Sequence, residues 1–296
     1  MIKGSSANVG ELLIAMINSL QHRGNDSAGV ALYNEASPVS DEYIFKIHTR
    51  DVVGAASMVA TAIAKAGGDI RSIQLHSVNG FGFDRYLVRS SPEHVKRIVD
   101  EINSTRIARV LSVGRQMEIL KDVCTVEELD KHFKVANLKG THGVGHVRFS
   151  TESQVDLFHA HPFQSFEYPD IAVVHNGQIT NYYKVRGLLE RRGHVFETEN
   201  DSELIVHYVA DKLKRGLGLK DALSASVKDL DGPFSYIIST PDGIGVAKDK
   251  LGLRPAVVLE CDGLCAIASE EIALRTLECS GEIRNLRPGE VVTWTK

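Results

Sequence analysis

The chain has 296 residues, 43% of them apolar and 24% charged, with a formal net charge of −4. Such values belong to a globular chain of one large or two ordinary domains that buries most of its unfolded surface, and they exclude fibrous and disordered classes. The slight acidity argues against a nucleic-acid binder, and no apolar run approaches the roughly 18 residues of a membrane helix. The opening Met1-Ile-Lys-Gly-Ser-Ser carries no signal-peptide core, and the four cysteines (Cys124, Cys261, Cys265, Cys279) form no CxxC pair or Cys/His ligand set. Reduced thiols in a cytoplasmic protein are therefore expected, with no metal and no disulfide framework.

In chain order, Leu13, Met16, Ile17 and Leu20 recur at helical spacing and Gly24 follows as a stop signal. Ala28 to Tyr33 reads as a strand and Asn34 to Ser40 as a loop. Residues 43–113 read as a unit of their own. It runs from a strand over Tyr43 to His48, through an Ala-rich helix over Val52 to Ala66, to strands over Ile70 to Val78 and Arg85 to Arg89 around Asn79-Gly80. A helix from Ser91-Pro92 to Ile102 and a strand over Ile107 to Val113 complete β-α-β-β-α-β, the ferredoxin-like order.

From Gly143 the signals change. Val144 to Phe149 and Ile171 to His175 read as strands, Tyr183 to Arg192 and Ser202 to Lys214 as helices ended by Gly193 and Gly216. Two hairpins follow, around Pro241-Asp242-Gly243 and around Cys261-Asp262-Gly263. Strand and helix runs are segregated, which favours an α+β layered fold with antiparallel sheets.

Four polar segments stand out: Gln21 to Gly29, His146 to Thr151, Val174 to Gly177, and Asn200 to Glu203. Each has an ordinary reading. Arg23 can cap a helix C-terminus, Arg148 can serve a structural ion pair, Asn176-Gly177 is a common turn, and Asp201 is a usual helix-start residue. Together they also compose a site. A guanidinium at a strand end holds a carboxylate bidentately, a carboxylate holds an ammonium, and an Asn amide beside a Gly N–H offers two oxyanion donors. That set suits a free amino acid and a tetrahedral intermediate on its side-chain carbonyl.

Several segments occur in the order of a known family: Gln21-His-Arg-Gly24 with Asp26-Ser-Ala-Gly29, Gly145-His-Val-Arg-Phe-Ser-Thr151, Ala160-His-Pro-Phe163, His175-Asn-Gly177 and Asp201-Ser-Glu203. Asp231-Gly-Pro-Phe-Ser235, Asp249-Lys-Leu-Gly-Leu-Arg-Pro255 and Ala268-Ser-Glu270 continue the series. Over roughly residues 10–40 and 140–296 the chain resembles the class II glutamine amidotransferase (glutaminase) domain, an N-terminal-nucleophile hydrolase.

The resemblance implies a four-layer αββα sandwich over residues 1–296, with 43–113 as an inserted ferredoxin-like subdomain. It implies hydrolysis of L-glutamine to glutamate and ammonia, with the ammonia passed to a partner. Arg148 would hold the α-carboxylate and Asp201 the α-ammonium, with Thr151 and His175 also on the substrate side. Asn176 and Gly177 would form the oxyanion hole, and Arg23 would lie near the nucleophile. No cofactor is implied.

The family's nucleophile is an N-terminal cysteine, whose free amine acts as base; here no cysteine precedes Cys124. The expectation is that the written start lies downstream of the true one. The alternative is a catalytically inactive, glutamine- or glutamate-binding regulatory subunit.

No segment resembles a phosphoribosyl-pyrophosphate site, a Ser-Gly-Gly-x-Asp loop or a sugar isomerase domain. The chain thus reads as a glutaminase module whose acceptor subunit is another chain. It resembles the separate subunits of glutamate synthase and N-methylglutamate synthase, through Gly114 to Val123 among other segments, and the glutaminase domain of amidophosphoribosyltransferase. Homo-oligomerisation stays open. Asp51-Val-Val-Gly54 resembles the first turn of an ACT-type regulatory domain, with structural decoration or subunit docking as the alternative.

Overall fold

The structure, a computed structural model, describes residues 8–35, 41–149, 155–261 and 263–295. It divides into two compact units, Glu35–Ile119 and the remainder of the chain.

The larger unit opens with α1 (Val9–Ser19) and β1 (Ser27–Tyr33). The smaller unit then runs β2 (Glu42–Arg50), α2 (Ala55–Lys65), β3 (Asp69–Gln74), β4 (Ser77–Val78), β5 (Phe81–Arg89), α3 (Pro92–Ser104) and β6 (Ala108–Gly114). Its sheet order is β3-β5-β2-β6, with β2–β5, β2–β6 and β3–β5 all antiparallel. This is the ferredoxin-like arrangement. The β4–β5 turn has φ of 51° at Asn79 and 81° at Gly80. Positive φ at both central residues is what a two-residue hairpin turn demands, and Asn-Gly supplies it at least strain. Pro92 occupies the first turn of α3, whose Val95, Ile98, Val99 and Ile102 are buried.

The larger unit resumes at Leu120, within β7 (Met117–Asp122), and continues with α4 (Val126–Phe133), β8 (His142–Arg148), β9 (Phe163–Gln164), β10 (Ala172–Gly177), α5 (Tyr182–Glu190), α6 (Asp201–Lys214) and α7 (Leu219–Asp229). It ends with β11 (Phe234–Thr240), β12 (Gly243–Lys248), β13 (Val257–Cys261), β14 (Leu264–Ala268), α8 (Glu271–Leu274), β15 (Glu282–Asn285) and β16 (Val291–Thr295).

The outer helical layers follow from which faces are apolar. Val9, Leu13 and Ile17 of α1 and Leu129 of α4 pack on Ala28, Val30 and Leu32 of β1, covering the sheet β7-β1-β8. Leu12 and Met16 of α1, with Leu20 just after it, also meet Ala273 and Leu274 of α8 over the sheet β14-β13-β15. On the other side α5, α6 and α7 pack on the sheet β16-β12-β11-β10-β9 through Val173, Tyr236, Ile238 and Ala247. Polar bonds join the inner layers. Tyr33 Oη donates to Ser239 O at 2.9 Å, and His142 Nε2 lies 2.8 Å from Thr240 O. The result is the α+β, antiparallel αββα sandwich.

Cys261 and Cys279, read from sequence as free thiols, stand paired with Cα atoms 6.4 Å apart. The end of β13 and the segment after α8 converge there, a proximity that their spacing does not announce. Cys124 and Cys265 are in no disulfide.

Candidate functional site

Among the described residues, β8 and β14 are edge strands of their sheets. Between them lies a cavity of about 390 Å³, within the range of small-molecule sites. Leu13, Met16 and Ile17 of α1, Leu20 just after it, and Ile237, Ile244 and Val246 of β11 and β12 give it apolar walls. Its polar lining comes from Arg23, the C-terminal ends of β8 and β10, and the start of α6.

Arg23, Arg148, His175, Asn176, Gly177 and Asp201 all line this one cavity. Thr151 lies outside the described residues. Arg148 closes β8, and its backbone is gripped: Asp26 N donates to Arg148 O at 3.0 Å, and Ser27 pairs with it in register. A Cβ at Gly24 would sit inside the Arg148–Phe149 backbone, so only glycine allows that approach. Arg148 is buried as a residue; burial lowers its pKa, opposed by Asp156 and Asp26.

Asn176 and Gly177 end β10. Gly177 has φ of 139°, and a Cβ there would lie 2.7 Å from Phe234 Cα and closer still to Pro233 O. Glycine is therefore required where β10 meets β11. Asp201 is the first residue of α6; its Oδ2 accepts from Ile179 N at 2.9 Å, and its Oδ1 lies 3.5 Å from His175 Nδ1. Burial alone would raise the Asp201 pKa, but the His175 ring and the Ile179 and Ser202 N–H groups bring it below the usual value. Asn200 caps α6, accepting from Ser202 N at 2.9 Å.

Histidines not singled out from sequence stand beside this set. The His146 and His161 rings stack with centroids 4.1 Å apart. His161 Nε2 lies 2.8 Å, and His175 Nδ1 3.1 Å, from Ser202 Oγ, while His146 Nε2 lies 3.2 Å from His175 O. Burial drives the His146 pKa down to about 3 and that of His161 well below its ordinary value, so both rings are neutral near pH 7. Arg23 Nη1 donates to Glu270 Oε1, and His22 Nε2 lies 3.1 Å from Glu270 Oε2. His161 and Glu270 fall inside recognised segments, which was the available signal. None of the four cysteines lines the cavity.

The lining can thus recognise a small zwitterion: one buried guanidinium, one carboxylate with depressed pKa, and an amide beside a glycine N–H. Comparisons with known proteins identify the family. The family model described as glutamine amidotransferase domain matches residues 146–276. A Methanothermobacter thermautotrophicus protein provisionally named a glutamine amidotransferase is 46% identical over 293 residues, covering 97% of this chain and 95% of that protein. The glutamine amidotransferase-like protein GlxB of Rhizobium meliloti is 31% identical, covering 97% of this chain and 92% of its own length. The structure of glutamine phosphoribosylpyrophosphate amidotransferase from B. subtilis, complexed with ADP and GMP, superposes with a TM-score of 0.61 at 20% identity. It matches over 97% of this chain but only 44% of its own length, so the present chain spans less than half of that solved relative. The chain belongs to the class II glutamine amidotransferase family.

Proposed function

We propose that the cavity binds L-glutamine as the glutaminase site of an amidotransferase subunit. In this reading Arg148 holds the α-carboxylate, with Thr151 and His175 also on the substrate side. Asp201 holds the α-ammonium. The Asn176 amide and Gly177 N–H face the side-chain carbonyl, where negative charge develops during hydrolysis, and Arg23 stands at the nucleophile end. One observation carries the reading: Arg148, Asn176, Gly177 and Asp201, drawn from β8, β10 and α6, line a single cavity. The ammonia acceptor would be a synthase subunit of the glutamate synthase kind, on another chain.

A second reading, a glutamine- or glutamate-binding regulatory subunit, is favoured by one fact: no cysteine lines the cavity. Calorimetry with L-glutamine tests what both readings share. Arg148→Lys should weaken binding tenfold or more, since an ammonium cannot reproduce the bidentate fork and charged hydrogen bonds contribute about 1.5–3 kcal/mol. Asp201→Asn should also weaken it. Equal affinities in all three proteins would remove the basis of the proposal. Ammonia release then separates the readings: the chain preceded by Cys-Gly at a free N-terminus should hydrolyse glutamine if the site is catalytic, and should not if it is regulatory.

A further inference from the structure

A second group of ligand-type side chains lies away from the cavity lining. Glu167 follows β9, His194 follows α5, and His207 sits two turns into α6. Their ligand atoms all fall within 4.8 Å of one another. His194 Nδ1 is 3.1 Å from His207 Nδ1, and His207 Nδ1 is 3.5 Å from Glu167 Oε2. Bonds of about 2.0–2.1 Å at tetrahedral angles put neighbouring zinc ligands about 3.3–3.4 Å apart. Both separations lie close to that edge.

The far side of each ring supplies an independent argument. His207 Nε2 faces Glu203 Oε1 at 3.6 Å, and His194 Nε2 faces Asp211 Oδ1 at 3.7 Å. A carboxylate behind the distal N–H is the usual support of a metal-bound histidine, because it fixes the tautomer with the other nitrogen bare. Here that tautomer turns two Nδ1 lone pairs toward each other and toward a carboxylate. A proton shared between the two Nδ1 atoms, 3.1 Å apart, or a cation in the centre relieves that repulsion. Both rings are almost wholly buried (8% and 2% exposed side chains for His194 and His207), so water does not relieve it. The carboxylates are themselves anchored. Glu167 accepts from Ser165 Oγ and Val195 N, Glu203 from Glu197 N and Thr198 N, and Asp211 is paired with Arg192. The frame is thus built before any ion arrives.

We propose that Glu167 Oε2, His194 Nδ1 and His207 Nδ1 form a binding site for a divalent transition metal of the zinc class, with the fourth position open to water. Imidazole and carboxylate donors select Zn(II), Co(II) or Ni(II) over Mg(II) and Ca(II). On binding, any proton shared between the rings leaves to solvent. The ion would tie the segments after β9 and α5 to the helix whose first residues, Asp201 and Ser202, line the cavity.

The test uses the full chain stripped with a chelator and dialysed. Zn(II) is titrated against a chromophoric chelator, and Co(II) is followed by its visible d–d bands. One equivalent should bind, with tetrahedral-type Co(II) absorption and a rise in Tm. Glu167→Gln, at the most exposed ligand, and His194→Gln should each weaken Zn(II) at least tenfold, while circular dichroism in the metal-free state shows both folded. His207→Asn should do the same, but it sits in the core and Glu167→Gln stands in if it fails to fold. Asp122, Cys124 and His132 form another such group, so Cys124→Ser is the control and should leave the stoichiometry unchanged. No binding above the chelator background overturns the proposal. So does binding lost in Cys124→Ser, or binding unaltered in both Glu167→Gln and His194→Gln.

Discussion

Gly177→Ala separates two costs that usually arrive together. At φ of 139° any L side chain is strained, and the new Cβ would also lie 2.7 Å from Phe234 Cα, nearer still to Pro233 O. The obstacle is backbone of the neighbouring strand, so it cannot swing away. Backbone strain of this kind costs about 1–3 kcal/mol, and overpacking about 1–3 kcal/mol more. Gly216 is the comparison: its φ is 88°, but a Cβ there meets nothing within 4 Å. Gly216→Ala should therefore cost only the conformational part, about 1 kcal/mol. The expected losses are then about 4 kcal/mol against about 1 kcal/mol, where whole domains have about 5–15 kcal/mol. In a chain of this size that is a fall in Tm of roughly 10 °C against roughly 3 °C. Scanning calorimetry of the two variants and wild type measures it. If both variants fall equally, the β10–β11 junction yields to a methyl group, and glycine at 177 is not a packing requirement.

Two further outcomes are expected. His146 has a folded pKa of about 3 against 6.5 for the free ring, so below pH 6.5 the unfolded state binds more protons. Stability should be fully present above that value and fall toward pH 3 by up to about 1.4 kcal/mol per pH unit; urea midpoints between pH 7 and 4 should show a shallower slope in His146→Gln, and an unchanged slope would mean that the ring protonates without unfolding. Thr125 and Glu128 cap α4 reciprocally, Thr125 N donating to Glu128 Oε2 at 3.0 Å; Thr125→Ala should cost about 1 kcal/mol and lower Tm by about 2–4 °C, read by thermal denaturation.

The elements legible in the sequence are those whose reasons are local. The Asn79-Gly80 turn declares itself because its two residues take the positive φ that the turn needs. The same holds for the stops of α5 and α6 at Gly193 and Gly216. The elements not read from sequence have reasons elsewhere in the chain. In β7 a lysine sits at a buried position: Lys121 donates to Ala160 O at 2.7 Å and to Pro162 O at 3.3 Å. That breaks the apolar pattern a strand otherwise shows. α6 is read from its ends, Asp201-Ser202 and Gly216, although ten consecutive residues, Ser202 to Asp211, are buried and leave no polar face to mark its period. α4 is the exception, because its Thr125-x-x-Glu128 box was present to be read.

The two ligand-type sites differ in legibility for a chemical reason. A zwitterion needs opposite charges with oxyanion donors between them, and this chain presents those groups at element ends: Arg148 closes β8, Asn176 and Gly177 close β10, and Asp201 opens α6. Residues at such positions are conspicuous, because strand ends and helix starts follow from local patterns. The cluster of Glu167, His194 and His207 has no such marker. Its members lie in two loops and mid-helix, at separations matching no metal motif, and a buried mid-helix histidine reads as ordinary core. Only the closure of the layers brings His194 Nδ1 to 3.1 Å from His207 Nδ1 and sets Glu203 and Asp211 behind the rings. The outer carboxylates carry the argument: 3.6 and 3.7 Å from the Nε2 atoms, they favour the tautomer whose bare nitrogens turn inward, where one divalent ion can take the place of a shared proton.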